Sequence, residues 1–385
     1  MTEGGRIAAA LHEAAQIRYD RYLADLEALT SIDCPTSHKP GVDAIAAVVV
    51  HLLEQSGAEV TVHENASAGN DVVGVVQGGG SSNVMLLCHT DTVYPVGTVT
   101  ERPFRIEGDH VLAPGVCDEK GGLLSAIYAL MLLKDIGFDR FGTITVLCNS
   151  DEESAPRHSV EMIQDSARRQ DAVLTMEAGR INGDIVSARK GVVVYTVTAY
   201  GREAHAGVSP DQGRSAIVAL ADRILALWRL NGALPGLNVN PGIIRGGSAV
   251  NTVAGQASVD VDVRVTWSAD VSAFDGLLRD TLQECIIPGV RLEAHCQHTM
   301  PPMEKTPATA RLVDLTKQAA RELGFEVEDT FTGGGSDGAY ASEVGAAVLD
   351  GLGPVGGYAH SEREFLDLTS IVPRTAMLAR LITLI

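Results

Sequence analysis

Paired cysteines are missing from this chain. Its six, Cys34, Cys88, Cys117, Cys148, Cys285 and Cys296, form no CxxC spacing, which argues against a thiolate zinc knuckle or a thioredoxin-like redox motif. They lie in apolar runs or loops, as reduced thiols do, and point to a reducing compartment. No apolar run approaches the ~20 residues needed to span a bilayer. Residues 1–20 have neither the basic start nor the continuous apolar core of a signal peptide. A soluble cytoplasmic protein without membrane association is therefore expected. Basic residues are scarce, 30 Lys plus Arg against 49 Asp plus Glu, for a formal net charge of −19. The average surface repels a polyanion, so nucleic acid is not an expected partner. Internal repeats and extended low-complexity tracts are also lacking.

What remains is an ordinary globular composition. The 385 residues are 45% hydrophobic and 21% charged, enough for a sizeable core and roughly two domains. The stretch NVMLLCHTD, Asn83–Asp91, organises the reading. An apolar run from Val84 to Cys88 reads as a buried strand that ends in a histidine and an aspartate two residues apart. His89 can give one ring nitrogen to a metal while Asp91 fixes the tautomer from the other side. The pattern recurs. Thr143–Cys148 is a second buried run, followed by Asp151, Glu152 and Glu153, and DAVLTMEAG is a third, ending at Glu177. Pro114–Asp118 feeds a helix starting near Lys120, with Gly121 and Gly122 suited to close packing on a sheet. A glycine-rich loop near the C-terminus holds His360.

Between residues 190 and 302 the texture changes to strand, helix, two strands, helix and strand, the βαββαβ order of a ferredoxin-like unit. It interrupts the first pattern, so the catalytic domain is expected in two parts, residues 1–189 and 303–385, around an inserted domain.

His89, Asp118, Glu152, Glu153, Glu177 and His360 all end strands or open neighbouring loops. Two imidazoles and several carboxylates without thiolate suit zinc, cobalt or manganese. A bridging aspartate with one histidine and one carboxylate per ion would make a two-metal centre, in which one of the adjacent Glu152 and Glu153 ligates and the other serves as general base. Singly, each has a plainer reading: an acidic pair at a helix start, an N-cap at Asp118, a loop acid at Glu177, a turn histidine at His360.

The runs HTD, APGVCDEKGG, SDEES, MEAG, GGGSD and GGYAHSE, in that order over nearly the whole chain, resemble the dinuclear zinc exopeptidase and deacylase family. That family includes glutamate carboxypeptidases, which the C-terminal stretches resemble most, aminoacylases, acetylornithine deacetylases and succinyl-diaminopimelate desuccinylases. The resemblance implies an α/β fold with a mixed central sheet flanked by helices and an inserted ferredoxin-like dimerisation or lid domain. It implies two divalent ions, zinc first and cobalt or manganese as alternatives. His89 and Glu177 would bind one ion, His360 and Glu153 the other, and Asp118 would bridge. Asp91 would support His89, and Glu152 would be the base. A cis peptide at Asp118–Glu119 is implied as well. In the inserted domain, His205 corresponds to a histidine that stabilises the oxyanion in a partner subunit's site, which implies a homodimer. Asn251 corresponds to a polar residue near the substrate, Arg264 to a clamp for an α-carboxylate, and Lys190 to a second substrate contact. The implied activity is metal-assisted release of a C-terminal amino acid, glutamate favoured, from an N-acyl or short peptidyl substrate. An N-acyl-amino-acid or N-succinyl deacylase is the alternative. A metal-binding protein with a dead site is a third reading, against which the intact Glu152 argues.

Overall fold

The computed structural model describes residues 2–154 and 157–385, which cluster into two compact units. One takes in the chain up to Ala188 with Lys305–Thr332 and Ser336–Ile385; the other is Arg189–Glu304 with Gly333–Gly335. The expected second catalytic part, residues 303–385, includes Gly333–Gly335, which the structure places in the second unit. Among the reasons they cluster with the second unit, the carbonyls of Gly334 and Gly335 accept hydrogen bonds from the Arg189 guanidinium.

The first unit is built on the strand Asn83–His89, buried from Val84 onward. It lies between Thr143–Asn149 and Ala172–Thr175, both parallel to it. Strands covered on both faces need no polar alternation, which is why these three read as continuous apolar runs. Outward on one side lie Asp71–Gln77 and then Glu59–His63, each antiparallel to its inner neighbour; on the other side Val348–Leu349 is parallel to Ala172–Thr175. The result is a mixed six-stranded sheet. Because the three central strands run the same way, His89, Asn149 and Thr175 finish at one end of the sheet, where open α/β folds carry their chemistry.

Helix Gly121–Asp135 is buried on every side from Gly121 to Leu133, as an all-apolar helix must be. It packs against Glu3–Thr30, Lys39–Ser56 and Leu368–Ile382. A Cβ on Gly122 would sit 1.8 Å from Met176 O, so glycine alone permits this approach. It brings the turn that carries Asp118 close to the segment leading into Glu177.

Residues 94–112, featureless in sequence, contain two short strands, Arg105–Glu107 and His110–Leu112. They join Phe365–Asp367 and Gly356–Gly357 in a second sheet of this unit. Strands of three residues show no periodicity, and their partners lie far along the chain.

The second unit has a four-stranded antiparallel sheet, ordered Asn238–Gly246, Gln256–Val265, Gly191–Tyr200, Arg291–Met300. Burial alternates along Gly191–Tyr200 and Gln256–Val265, so one face meets helices Ala216–Trp228 and Ser268–Gln283. Val193, Val197, Val261, Leu220 and Phe274 belong to its own core. The strand order and the βαββαβ sequence are ferredoxin-like. All six cysteines are free: Cys34, Cys88, Cys117 and Cys148 are buried, Cys285 is half-buried and Cys296 is exposed. Among the described residues no helix is long and apolar enough to cross a membrane.

Candidate metal centre

In the first unit, four of the strand-end and loop residues singled out in the sequence converge through direct contacts. His89 Nε2 lies 3.0 Å from Asp118 Oδ1, and His360 Nε2 lies 3.1 Å from Asp118 Oδ2. His360 Nε2 is also 3.1 Å from Glu153 Oε2. Asp118, Glu153 and His360 form one group whose ligand atoms lie within 4.8 Å of one another, and His89, Glu119 and Glu177 form a second. Asp118 thus turns one carboxylate oxygen to each imidazole. The Asp118–Glu119 peptide bond is cis.

Asp91 does more than support His89. The ring Nδ1 of His89 lies 3.1 Å from the Asp91 carbonyl and 3.4 Å from its carboxylate. That carboxylate also accepts the backbone N–H groups of Glu152 and Glu153, each at 3.1 Å, and the Thr36 hydroxyl at 2.5 Å. It therefore ties the loop after Thr143–Asn149 to the end of Asn83–His89, which is why the adjacent acids are held inward, Glu152 buried and Glu153 half-buried, rather than opening a helix; the next helix begins at Val160.

Glu152 is buried, and its Oε1 accepts from Arg157 at 3.0 Å. Arg157 also pairs with Asp337, which accepts from Asn149 Nδ2 at 2.5 Å. Burial pushes the Glu152 carboxyl well above its usual range; Arg157 works against this, and Asp337 with it. For His89, burial favours the neutral ring, but Glu119, Asp118 and Asp91 outweigh it and hold its pKa well above the usual value. His360 is raised to about 10 by its hydrogen bonds to Asp118 and Glu153. Burial would raise Asp118, but the two imidazoles facing it hold it far below the ordinary carboxylate range. Concentrated carboxylates with imidazoles between them are what a cation site needs before the cation arrives.

The sequence profile of peptidase family M20/M25/M40 matches residues 85–384. The chain belongs to this family. It is 32% identical to carboxypeptidase G2 of Pseudomonas sp. (strain RS-16) over 380 residues, 97% of this chain and 91% of that protein. It is 26% identical to an acetylornithine deacetylase of Erwinia tasmaniensis over 322 residues, 79% of this chain and 81% of that one. Among solved structures, aminopeptidase PepT from Bacillus cereus matches with a TM-score of 0.78 at 21% identity, covering 94% of this chain and 98% of that chain. An M20 family metallo-carboxypeptidase from Sulfolobus solfataricus matches with a TM-score of 0.74 at 18% identity, covering 94% and 99%. The protein is thus an M20 family hydrolase, related to carboxypeptidase G2 and to deacetylases and desuccinylases, and membership implies use of divalent metal.

The second unit holds the remaining residues singled out in this M20 sequence. His205 and Asn251 are brought together where Ala204–His205 pairs with Thr252–Val253, the Asn251 carbonyl accepting the Ala206 N–H at 2.9 Å. His205 is exposed, and its Nδ1 accepts from the N–H groups of Gly207 and Val208 at 3.2 and 3.1 Å. This leaves the ring proton on Nε2. Arg264 is not a free clamp. Asp262 holds its Nε and Nη2 at 2.8 and 2.9 Å, leaving Nη1 3.4 Å from Gly333 O. Lys190 Nζ donates to Gly236 O and Asn238 Oδ1, each at 2.5 Å, and partial burial and the nearby Arg264 lower its pKa.

Sequence reasoning missed Glu119, Arg157 and Asp337. Glu119 is buried; its Oε1 accepts the His89 N–H at 2.7 Å, and its Oε2 has no hydrogen-bond partner. It follows Asp118 directly, and the clue available in the sequence was that two adjacent acids precede the buried helix.

Proposed function

We propose that this chain is a two-metal amidohydrolase that releases a C-terminal amino acid, with glutamate favoured, from an N-acyl or peptidyl substrate. The observation carrying this reading is that Asp118 turns one carboxylate oxygen to each of two imidazoles, with Glu153 against His360 and its neighbour Glu152 tied by its backbone to Asp91. The similarity to carboxypeptidase G2 supports the carboxypeptidase sense. His89 and Glu177 would hold one ion, Glu153 and His360 the other, and Asp118 both. The donor set is nitrogen and oxygen without thiolate, which suits zinc, cobalt or manganese. The orphaned Glu119 Oε2 is an atom that a cation beside it would satisfy. When bound, the ions polarise the scissile carbonyl and acidify a water.

The chain's own groups do the rest. Glu152 takes the proton of the attacking water and returns it to the departing amine. Arg157 anchors one oxygen of Glu152 and leaves the other for that transfer. His205, with its proton held on Nε2 by Gly207 and Val208, donates to the developing oxyanion in the site of a second copy. Arg264 and Lys190 supply the positive charge that meets the substrate carboxylate, the Asp262 pair fixing the angle of the guanidinium. Asn251, beside His205, gives a further polar contact.

A second copy is supported by the surface of the second unit. Helix Ala216–Trp228 buries Leu220 and Leu227 inward, yet Ile217, Leu225 and Trp228 are exposed on it. Ile243 and Ile244 are exposed on Asn238–Gly246, an edge strand of the sheet. An apolar stripe beside an open strand edge is what a symmetric partner covers. The pair of changes Trp228→Glu and Ile244→Lys is expected to convert a dimer to a folded monomer in sedimentation. A wild-type monomer at micromolar concentration would remove this part of the reading.

The function is tested by hydrolysis of N-acetyl, N-succinyl and N-benzoyl amino acids beside aminoacyl-glutamates, after chelation and again after zinc is restored. Chelation is expected to abolish turnover and zinc to return it, with glutamate among the released products. The deacylase alternative, favoured by the similarity to acetylornithine deacetylase and succinyl-diaminopimelate desuccinylase, is the outcome if only acyl donors with other amino acids are cleaved. Full turnover by the metal-free protein would sink both.

A further inference from the structure

Of the segments that converge at Asp118, those of His89, Asp118 and His360 are tied together by one buried carboxylate outside the ligand set. Glu364 ends the loop that carries His360, between the strands Gly356–Gly357 and Phe365–Asp367, and is 2% exposed. Its Oε1 accepts the backbone N–H groups of Cys117 and Asp118 at 2.8 and 3.1 Å. Its Oε2 accepts the N–H of Gly115 at 2.9 Å and the hydroxyl of Tyr94 at 2.6 Å. Both oxygens are thus doubly occupied, and three of the four donors are consecutive or near-consecutive backbone groups leading into Asp118, a nest around an anion.

Tyr94 extends the tie. It follows His89 and Asp91 in the same loop, and its hydroxyl lies 3.1 Å from the Ser361 carbonyl as well as against Glu364. Ser361 is the neighbour of His360, and its Oγ donates back to Tyr358 O at 2.7 Å. Tyr358 and His360 themselves sit at φ 57 and 62, a left-handed conformation that costs a residue other than glycine energy and needs its surroundings to hold it. The His360 side chain is half exposed, so packing on the ring does little to fix it.

We propose that Glu364, with Tyr94, is a positioning residue that holds the His89, Asp118 and His360 segments in register, so that Asp118 can serve two cations at once. This rests on the two-metal reading above. With both oxygens taken by four protein donors, Glu364 acts through the backbone of Asp118 and the loop of His360. Its loss leaves both imidazoles and all ligand carboxylates in the chain but frees the Asp118 segment to turn toward one ion. The expected signature is a dinuclear site that becomes two independent or unequal sites. Removal of partners that orient metal ligands costs about 10- to 100-fold in metal affinity.

The test uses the full-length metal-free protein titrated with Co²⁺, read by calorimetry, by metal content after dialysis and by the paramagnetic coupling between the two ions. Wild type is expected to bind two Co²⁺ and show coupling. Glu364→Gln keeps the size but sets an amide N–H₂ against N–H donors. It is expected to keep a cooperative thermal transition, lose the coupling and lose affinity for one ion by about tenfold or more, while kcat falls with KM little changed. Tyr94→Phe should move the same readouts in the same direction by less. A Glu364→Gln protein that melts earlier yet binds two Co²⁺ with unaltered affinity and coupling overturns the inference and leaves Glu364 a stabilising contact only. If that variant does not fold, Tyr94→Phe decides: weakened second-ion binding supports the clamp, and unaltered occupancy and coupling overturn it. Fewer than two ions on wild type would instead overturn the two-metal reading, a result separable from any effect of the variants.

Discussion

Glu152→Gln is expected to lower kcat by roughly 10²–10⁴-fold, toward the upper end because one carboxylate serves both proton transfers. Metal content and the thermal transition should stay close to wild type. Glutamine matches the shape of the side chain, and the backbone N–H of residue 152 remains tied to Asp91. Arg157 keeps its ion pair with Asp337 when its contact to Glu152 weakens. The loss is therefore of a proton acceptor and not of a fold. Steady-state kinetics with metal analysis on the same preparation checks it. Activity within tenfold of wild type would remove Glu152 from the mechanism and return this buried acid to a structural role.

His205→Ala should cost roughly 10²–10³ in kcat, the scale for losing one donor to a developing oxyanion. Its exposed ring makes no contribution to the core of the second unit, so stability should be unchanged. A mixing experiment tells whether it acts across a dimer. In a heterodimer of Glu152→Gln with His205→Ala, action in trans leaves one site with both groups intact and the other with neither. Statistical exchange of subunits then returns about a quarter of wild-type activity from two nearly inactive proteins. If His205 acts within its own chain, each site of the heterodimer lacks one group, and mixing returns nothing. The second outcome would separate the histidine from the dimer argument and leave the apolar stripe on Ala216–Trp228 without a catalytic reason.

Much of the centre was legible because its sequence signal is local. An apolar run that breaks into His89 and Asp91, or into Glu152 and Glu153, announces a buried parallel strand and its polar end within a few residues. The alternation in Gly191–Tyr200 and Gln256–Val265 announces a sheet covered on one face in the same way. Gly121 and Gly122 at the start of an apolar helix announced close packing, and Gly122 meets Met176 O. Arg157 gave no such signal. It stands in a polar loop, and its significance comes from Asp337, far along the chain. Glu364 and Tyr94 likewise look like loop residues until their segments are folded together.

The sequence by itself determined which residue types stand at the ends of which strands, the interruption of one α/β pattern by a βαββαβ unit, and an N/O donor set without thiolate. Periodicity and strand-end chemistry are properties of neighbours in the chain, so they can be read there. The tertiary structure decided which oxygen of Asp118 faces which imidazole, that Glu119 turns inward with an orphaned oxygen, that Asp262 already holds Arg264, and that Glu364 gathers the backbone before Asp118. Apart from the Asp262–Arg264 pair, two residues apart on one strand, these depend on segments far apart in sequence. Burial selects them, because a carboxylate taken out of water must find its donors wherever the fold brings them.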